Sequence, residues 1–288
     1  MMAARGHNQG LMAADEPAAA RGRGGYAIEG GRADADRLAR QARVMAEATA
    51  AFLGRVGLGA GWACLDVGCG DGQVTLALAR AAGPTGRALG IDVDQQALDI
   101  ARRSAREAGL SPEFIRADAA EPPERDAFDL AYARLVLSHL SDPAAALRAM
   151  RAAVRPGGLV AVEDLFTGTL RSEPPAPALD RLQDVYSATV RARGGDPTIG
   201  PRLPALLAAA GLNRIRADTV ENRMPTVDDK IFLAELLDNM RKTILRTGSA
   251  TASELDEIRA GVERAARDPD RVFFQARIHQ VWGRRALR

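Results

Sequence analysis

The sequence predicts an α/β fold, doubly wound around a mostly parallel seven-stranded sheet, and three observations lead there. Candidate strands and helices alternate from residue 63 to residue 164. The first strand runs into a glycine-dense loop flanked by carboxylates, Asp66-Val67-Gly68-Cys69-Gly70-Asp71-Gly72. After the fifth strand the alternation breaks at Pro174-Pro175-Ala176-Pro177, and strand-like runs resume toward the C-terminus. Parallel neighbours need a crossover helix, so alternation of this kind covers both faces of one sheet with helices. Such crossovers are right-handed, which fixes the winding.

The elements follow in order. Residues 1–25 are rich in Ala, Gly and Arg and lack an apolar segment, so they are expected to form a mobile tail and not a secretory signal. Residues 26–60 form an N-terminal helical element whose helix, 34–56, carries one apolar stripe: Leu38, Ala42, Met45, Ala46, Thr49, Phe52 and Leu53. The ligand-binding half, 61–166, has strands at 63–67, 87–92, 112–117, 128–133 and 159–164, with helices at 73–82, 95–108 and 143–154. Residues 167–201 hold the proline cluster and a helical run, 179–193, and read as a helical cap inserted after strand five. The C-terminal half, 202–288, supplies a helix at 203–210, a sixth strand at 215–220, helices at 227–246 and 253–267, and a last strand at 271–282. Ser253 is the expected N-cap of the second of these helices. In the last strand Val272, Phe274, Ala276, Ile278 and Gln280 are expected on one side.

Composition narrows the function classes. The 288 residues are 47% hydrophobic with a net charge of +2, which suits a globular chain and leaves no basic footprint for nucleic acid. No apolar run reaches the roughly 20 residues that span a bilayer. Cys64 and Cys69 have no second pair to complete a zinc site, and reduced thiols in a cytoplasm is the plain expectation.

The charges around the glycine loop say more than its glycines. Backbone can approach a ligand closely at such a strand-to-helix turn, but Gly68-x-Gly70-x-Gly72 alone also fits dinucleotide-binding oxidoreductases. Asp66 and Asp71 would repel a pyrophosphate and suit a ligand carrying ammonium and sulfonium charge. Asp92, ending strand two, can accept both hydroxyls of a ribose. Asp118, after strand three, can accept an adenine amino group. N-capping is the bland alternative for any one of these acids. An acid at each of three successive strand ends argues against it for the set.

Leu65-Asp66-Val67-Gly68-Cys69-Gly70-Asp71-Gly72, Gly90-Ile91-Asp92, Ala117-Asp118-Ala119 and Arg155-Pro156-Gly157-Gly158 resemble the ordered motifs of class I S-adenosylmethionine-dependent methyltransferases, a Rossmann-like superfamily. This stretch is similar to the ubiquinone/menaquinone C-methyltransferase type. The flanks, Tyr26-Ala27-Ile28-Glu29-Gly30-Gly31 and Gly195-Asp196-Pro197-Thr198-Ile199-Gly200, look like those of natural-product small-molecule methyltransferases. The resemblance implies S-adenosyl-L-methionine as cofactor, held by Asp66, Gly68, Cys69, Gly70, Gln73, Asp92, Val93, Asp118 and Ala119, with Gln41 and Arg134 beside it. It also implies a small-molecule methyl acceptor under the cap.

His139, after strand four, is the candidate general base, against a purely structural imidazole. Tyr26 is a second catalytic candidate, against simple packing. Arg134 alternatively pairs with Asp129 or Asp142 on the surface. Glu163 and Asp164 end strand five and raise a magnesium-assisted mechanism, but strand four ends in Tyr132-Ala133-Arg134 where such chemistry wants another carboxylate, so no metal is expected. Two other readings stay open, an NAD-dependent oxidoreductase and a non-catalytic cofactor-binding regulatory module. A homo-oligomer exchanging the first helix is compatible with the sequence.

Overall fold

The computed structural model describes residues 32–287; the expected tail and Tyr26 lie outside the described residues. In chain order the elements are α1 (Arg32–Val56), β1 (Ala63–Val67), α2 (Gln73–Ala82), β2 (Arg87–Asp92), α3 (Gln95–Glu107), β3 (Glu113–Arg116), β4 (Phe128–Arg134), α4 (Pro143–Ala153) and β5 (Val154–Phe166). They continue with β6 (Arg171–Glu173), α5 (Pro177–Ala192), α6 (Leu203–Ala209), β7 (Leu212–Val220), β8 (Arg223–Met224), α7 (Val227–Thr247), α8 (Ala252–Arg267), β9 (Val272–Phe274) and β10 (Arg277–Arg285).

Seven strands make one sheet in the order β3-β2-β1-β4-β5-β10-β7. β1 to β5 pair parallel, and β10 runs antiparallel to both its neighbours. This is the doubly wound, mostly parallel seven-stranded sheet the alternation predicts. The strand order reverses between β1 and β4, and a crevice opens beyond the carboxyl ends at such a switch point.

Period-two alternation sorts the core onto two faces. Leu65, Val67, Val160 and Val162 pack with Leu147 and Met150 of α4 and Leu203 and Leu207 of α6. On the opposite face Cys64, Tyr132, Leu159 and Ala161 meet Phe52, Leu53 and Val56 of α1 and Val74 and Leu78 of α2. Each fully buried aliphatic side chain here is worth about 1.5–3 kcal/mol. Of the stripe predicted on the first helix, Phe52 and Leu53 close this layer, Ala42 and Met45 face the crevice at the switch point, and Ala46 is exposed. α1 is also tied to α7, where Arg40 reaches Asp228 at 3.0 Å and Glu235 at 2.8 Å.

The cap is larger than the 167–201 segment. Leu182 and Tyr186 of α5, Leu237 and Met240 of α7, Ile258 and Val262 of α8 and Phe273 of β9 share one apolar cluster. A three-stranded sheet, β6-β9-β8, borders it and was not foreseen. That sheet explains a correction: the run 271–282 is two strands in different sheets. Gln275 and Ala276 interrupt it and shift the alternation, so Phe273 is buried in β9 in place of its neighbours while Ile278 and Gln280 stay inward in β10. A second correction concerns α8. Its N-cap is Thr251, not Ser253, because Thr251 and Glu254 satisfy each other's backbone N–H groups in a reciprocal capping box.

Candidate active site

The loop after β1 is shaped by backbone that only glycine adopts without strain. Gly68 has φ 68°, and a Cβ there would lie 2.5 Å from Val136 Cγ2. The Gly68 and Cys69 N–H groups both donate to Ile91 O, at 2.8 and 3.0 Å, which clamps the turn against β2. The Gly70 N–H donates to Asp92 Oδ2 at 2.9 Å, and the Asp94 N–H to Asp92 Oδ1 at 2.9 Å. The Asp92 carboxylate is thereby oriented by backbone, with further lone pairs for a ligand. Burial raises its pKa.

Asp66 is only 1% exposed and accepts a 2.6 Å hydrogen bond from Thr75 Oγ1 of α2. Burial pushes its carboxyl up to about 6, against the opposing pull of Thr75 and Arg134. Asp118 accepts from Ala120 N–H at 2.9 Å just beyond β3. Cys69 is buried beside the loop, and burial raises its thiol well above the ordinary value, which leaves it unreactive.

These groups line one cavity of about 730 Å³, within the size range of small-molecule sites. The cavity brings together Asp66, Gly68, Cys69, Gly70, Asp92, Val93, Asp118, Ala119, Arg134, Gln41 and His139, all singled out from sequence. Gln73 is not among its lining residues; as the first residue of α2 it faces a neighbouring cleft against α1.

The far wall comes from the cap and from residues the sequence does not flag: Thr167, Gln183, Tyr186, Phe232, Leu233 and Gln275. Arg37 of α1 also lines the cavity, is 1% exposed, and donates to Gln41 Oε1 at 2.8 Å. Only Tyr186 carries a local hint, a polar tip inside the apolar stripe of α5.

His139 closes a short 3-10 turn, Leu137–His139, after β4. Its Nε2 lies 3.4 Å from Tyr186 Oη, linking core to cap. Burial, with Arg37 adding to it, pushes the imidazole down to about 4, so it is neutral at physiological pH. Asp164 orients the turn by accepting from Ser138 N–H at 3.0 Å.

Two sequence expectations are corrected. Arg134 pairs with neither Asp129 nor Asp142: Asp129 is held by Arg155, and Asp142 caps α4 and faces Arg148. Positions 129 and 134 differ by an odd number along β4, so their side chains take opposite faces. Arg134 instead donates to Thr49 Oγ1 at 3.3 Å. Glu163 and Asp164 do not line the cavity, because β5 continues to Phe166. Glu163 accepts from Thr49 Oγ1 at 2.9 Å and Gln280 Nε2 at 2.7 Å, and Asp164 from backbone.

Residues 64–158 match the family described as a methyltransferase domain. The ubiquinone biosynthesis O-methyltransferase of Stutzerimonas stutzeri is 33% identical over 139 residues, 47% of this chain and 56% of that protein. Demethylmenaquinone methyltransferase of Staphylococcus aureus is 30% identical over 132 residues, 46% of this chain and 52% of its own length. The chain spans about half the length of the curated relatives it matches. Among solved structures the cyclase SpnF is similar with a TM-score of 0.51 at 23% identity, covering 91% of this chain and 87% of that one.

Over residues 64–158 the chain is similar to S-adenosylmethionine-dependent methyltransferase domains, and its sheet order is that of a doubly wound α/β fold. Since a cyclase shares the fold, the reaction has to be argued from the site.

Proposed function

We propose that this chain transfers a methyl group from S-adenosyl-L-methionine to an O, N or C atom of a small, partly apolar metabolite, in the manner of natural-product biosynthesis. One observation carries the proposal: a single cavity runs from the strand-end acids Asp66, Asp92 and Asp118 to an apolar wall of the cap. The acid end fits the cofactor. Asp92, already oriented by two backbone amides, has acceptor capacity for ribose hydroxyls, and the Asp66 carboxylate offsets cationic charge. Gly68 and Gly70 let backbone approach without a side chain in the way. Asp118 stands at the adenine end, and Arg134 and Gln41 border the methionine side.

The cofactor, when bound, supplies an activated methyl on a positively charged sulfur. The protein's part is alignment and exclusion of water, because the charge disperses as transfer proceeds. Leu182, Phe232 and Leu233 provide the dry wall. Neutral His139 is placed to accept a hydrogen bond at a ring nitrogen from an acceptor atom that carries a proton, with Tyr186 setting the ring's orientation. The natural-product assignment draws on the cavity's size and on the Gly195-Asp196-Pro197 flank at the cap's edge. Among the described residues no helix is long and apolar enough to cross a membrane. We further read the chain as a cytoplasmic enzyme without a nucleic-acid partner, free to self-associate.

Calorimetry with S-adenosylmethionine, S-adenosylhomocysteine and NAD tests the cofactor. Binding of both sulfur compounds and not of NAD is expected, and the reverse pattern would overturn the proposal. A methyl-transfer assay over phenols, amines, indoles and prenyl compounds tests the reaction. Silence across the panel despite tight cofactor binding would favour a non-catalytic binding module.

A further inference from the structure

The charges on the cavity wall are sharply divided. Six carboxylates line it among the described residues: Asp66, Asp71, Asp92, Asp94, Asp118 and Glu121. All belong to β1, β2 and the turns after β1 to β3. None comes from β5 onward, which supplies the wall facing the acceptor.

That second wall offers uncharged groups. Gln183 and Gln275 already spend their carbonyl oxygens, on Leu170 N–H at 2.9 Å and Asn222 Nδ2 at 2.9 Å, and so present mainly amide donors. Tyr186 Oη faces His139 Nε2 at 3.4 Å, long enough to be shared with a third polar group. Thr167 lines the same wall, is 7% exposed, and its hydroxyl has no hydrogen-bond partner among the described residues. A buried hydroxyl left without a partner costs about 1–3 kcal/mol, so a ligand that satisfies it gains affinity. Thr167 is nonetheless fixed in place, since its N–H donates to Pro197 O at 2.9 Å.

We propose that the methyl acceptor is an uncharged apolar molecule bearing a hydroxyl, which Thr167 and the Tyr186–His139 pair hold, and that this wall rejects ammonium ions. The inference rests on the small-molecule methyltransferase reading above and narrows it to one acceptor class. An ammonium is a donor only and carries a charge that needs a carboxylate when it leaves water. The described acceptor wall supplies none. A phenol-like hydroxyl both donates and accepts, matching Thr167 on one side and the neutral imidazole on the other.

Three probes of similar shape decide it: naphthol, naphthalene and naphthylmethylammonium. Each is titrated calorimetrically into bare protein and into protein saturated with S-adenosylhomocysteine. Naphthol is expected to bind about fivefold or more tighter than naphthalene, the worth of one or two neutral hydrogen bonds, and the ammonium weaker than either. Thr167→Val keeps the side-chain shape and should erase most of the naphthol preference while leaving S-adenosylhomocysteine affinity unchanged. Tyr186→Phe should do the same in part. Ammonium binding as tight as naphthol, no naphthol binding, or a preference untouched by Thr167→Val would overturn the inference. The two readings fail separately. Loss of S-adenosylhomocysteine binding sinks the cofactor assignment, while the naphthol preference over naphthalene and its loss in Thr167→Val still judge the acceptor wall in bare protein.

Discussion

Asp92 is the residue on which the cofactor proposal turns, because one of its carboxylate oxygens holds the glycine loop through the Gly70 N–H while the other is fixed by the Asp94 N–H beyond β2. Asn keeps one oxygen and loses the charge. Charge-assisted bonds are worth about 1.5–3 kcal/mol each, so Asp92→Asn should weaken S-adenosylhomocysteine binding by about tenfold to a hundredfold in calorimetry. Unchanged affinity would mean that the ligand does not lie across β2. His139 makes a different prediction. Its ordinary pKa of 6.5 falls to about 4 in the fold, chiefly by burial and then through Arg37. Between those values the unfolded chain takes up a proton that the folded chain refuses. The imidazole's contribution is therefore fully present above its unfolded pKa and lost as pH falls toward 4. Relative to His139→Gln, which does not titrate, the wild type should lose about 2 kcal/mol of stability between about pH 7 and pH 5. Denaturant titrations at the two pH values measure it, and parallel losses in both proteins would show the ring to be solvated.

One of the connections between cap and core is a tight crossing at Gly195-Asp196. Asp196 N–H donates to Ser138 O at 2.9 Å, and a Cβ on the adjacent Gly195 would sit 2.4 Å from that same oxygen and 2.8 Å from Val190 Cγ1. Neither neighbour is a flexible chain end, so Gly195→Ala has to displace the turn that carries His139. A cost of about 1–3 kcal/mol is expected in urea unfolding, with the His139–Tyr186 contact loosened. A neutral outcome would mean the crossing has slack. The sequence announces this region through a Gly-Gly-Asp-Pro turn but not its destination, because Tyr186 and His139 are 47 residues apart and meet only by packing. The same distinction separates what was legible from what was not. β1 to β4 and the acids Asp66, Asp92 and Asp118 follow from local alternation and turn chemistry, and the structure puts all three acids on one cavity. The partnership of α5 with α7 and α8 has no local signature, since each amphipathic stripe states that a helix packs but not against which other. The break between β9 and β10 was hidden for a related reason: two strands in different sheets read as one when only Gln275 and Ala276 part them.

Stability and ligand binding pull in opposite directions across the molecule, and Asp66 shows how. Its carboxyl rises from 3.8 to about 6 because burial disfavours the charged form more than Thr75 and Arg134 support it. A folded pKa above the unfolded one contributes stability that is fully present below 3.8 and is lost as pH rises through 6. Over that window the loss amounts to about 3 kcal/mol, a sizeable part of the stability of an ordinary domain. Asp164, also raised to about 6 by burial, drifts the same way, while His139 opposes both. The chain keeps an ionised Asp66 near neutral pH at a cost to the fold, which makes sense if that charge meets a cationic ligand. Asp66→Asn separates the two effects, since the amide can still face Thr75 but does not titrate. The variant should gain up to about 3 kcal/mol on the wild type between about pH 4 and pH 7 in denaturant unfolding, because Asp164 and His139 contribute equally to both proteins and cancel. At about pH 7 it should also bind S-adenosylmethionine more weakly than the wild type, with the gap closing as the pH falls below 6 and the native carboxyl takes up its proton. Parallel stability curves would show that the Asp66 carboxyl titrates in the fold as it does in the unfolded chain. A gap in affinity that ignored pH would show that its charge is not what the ligand feels.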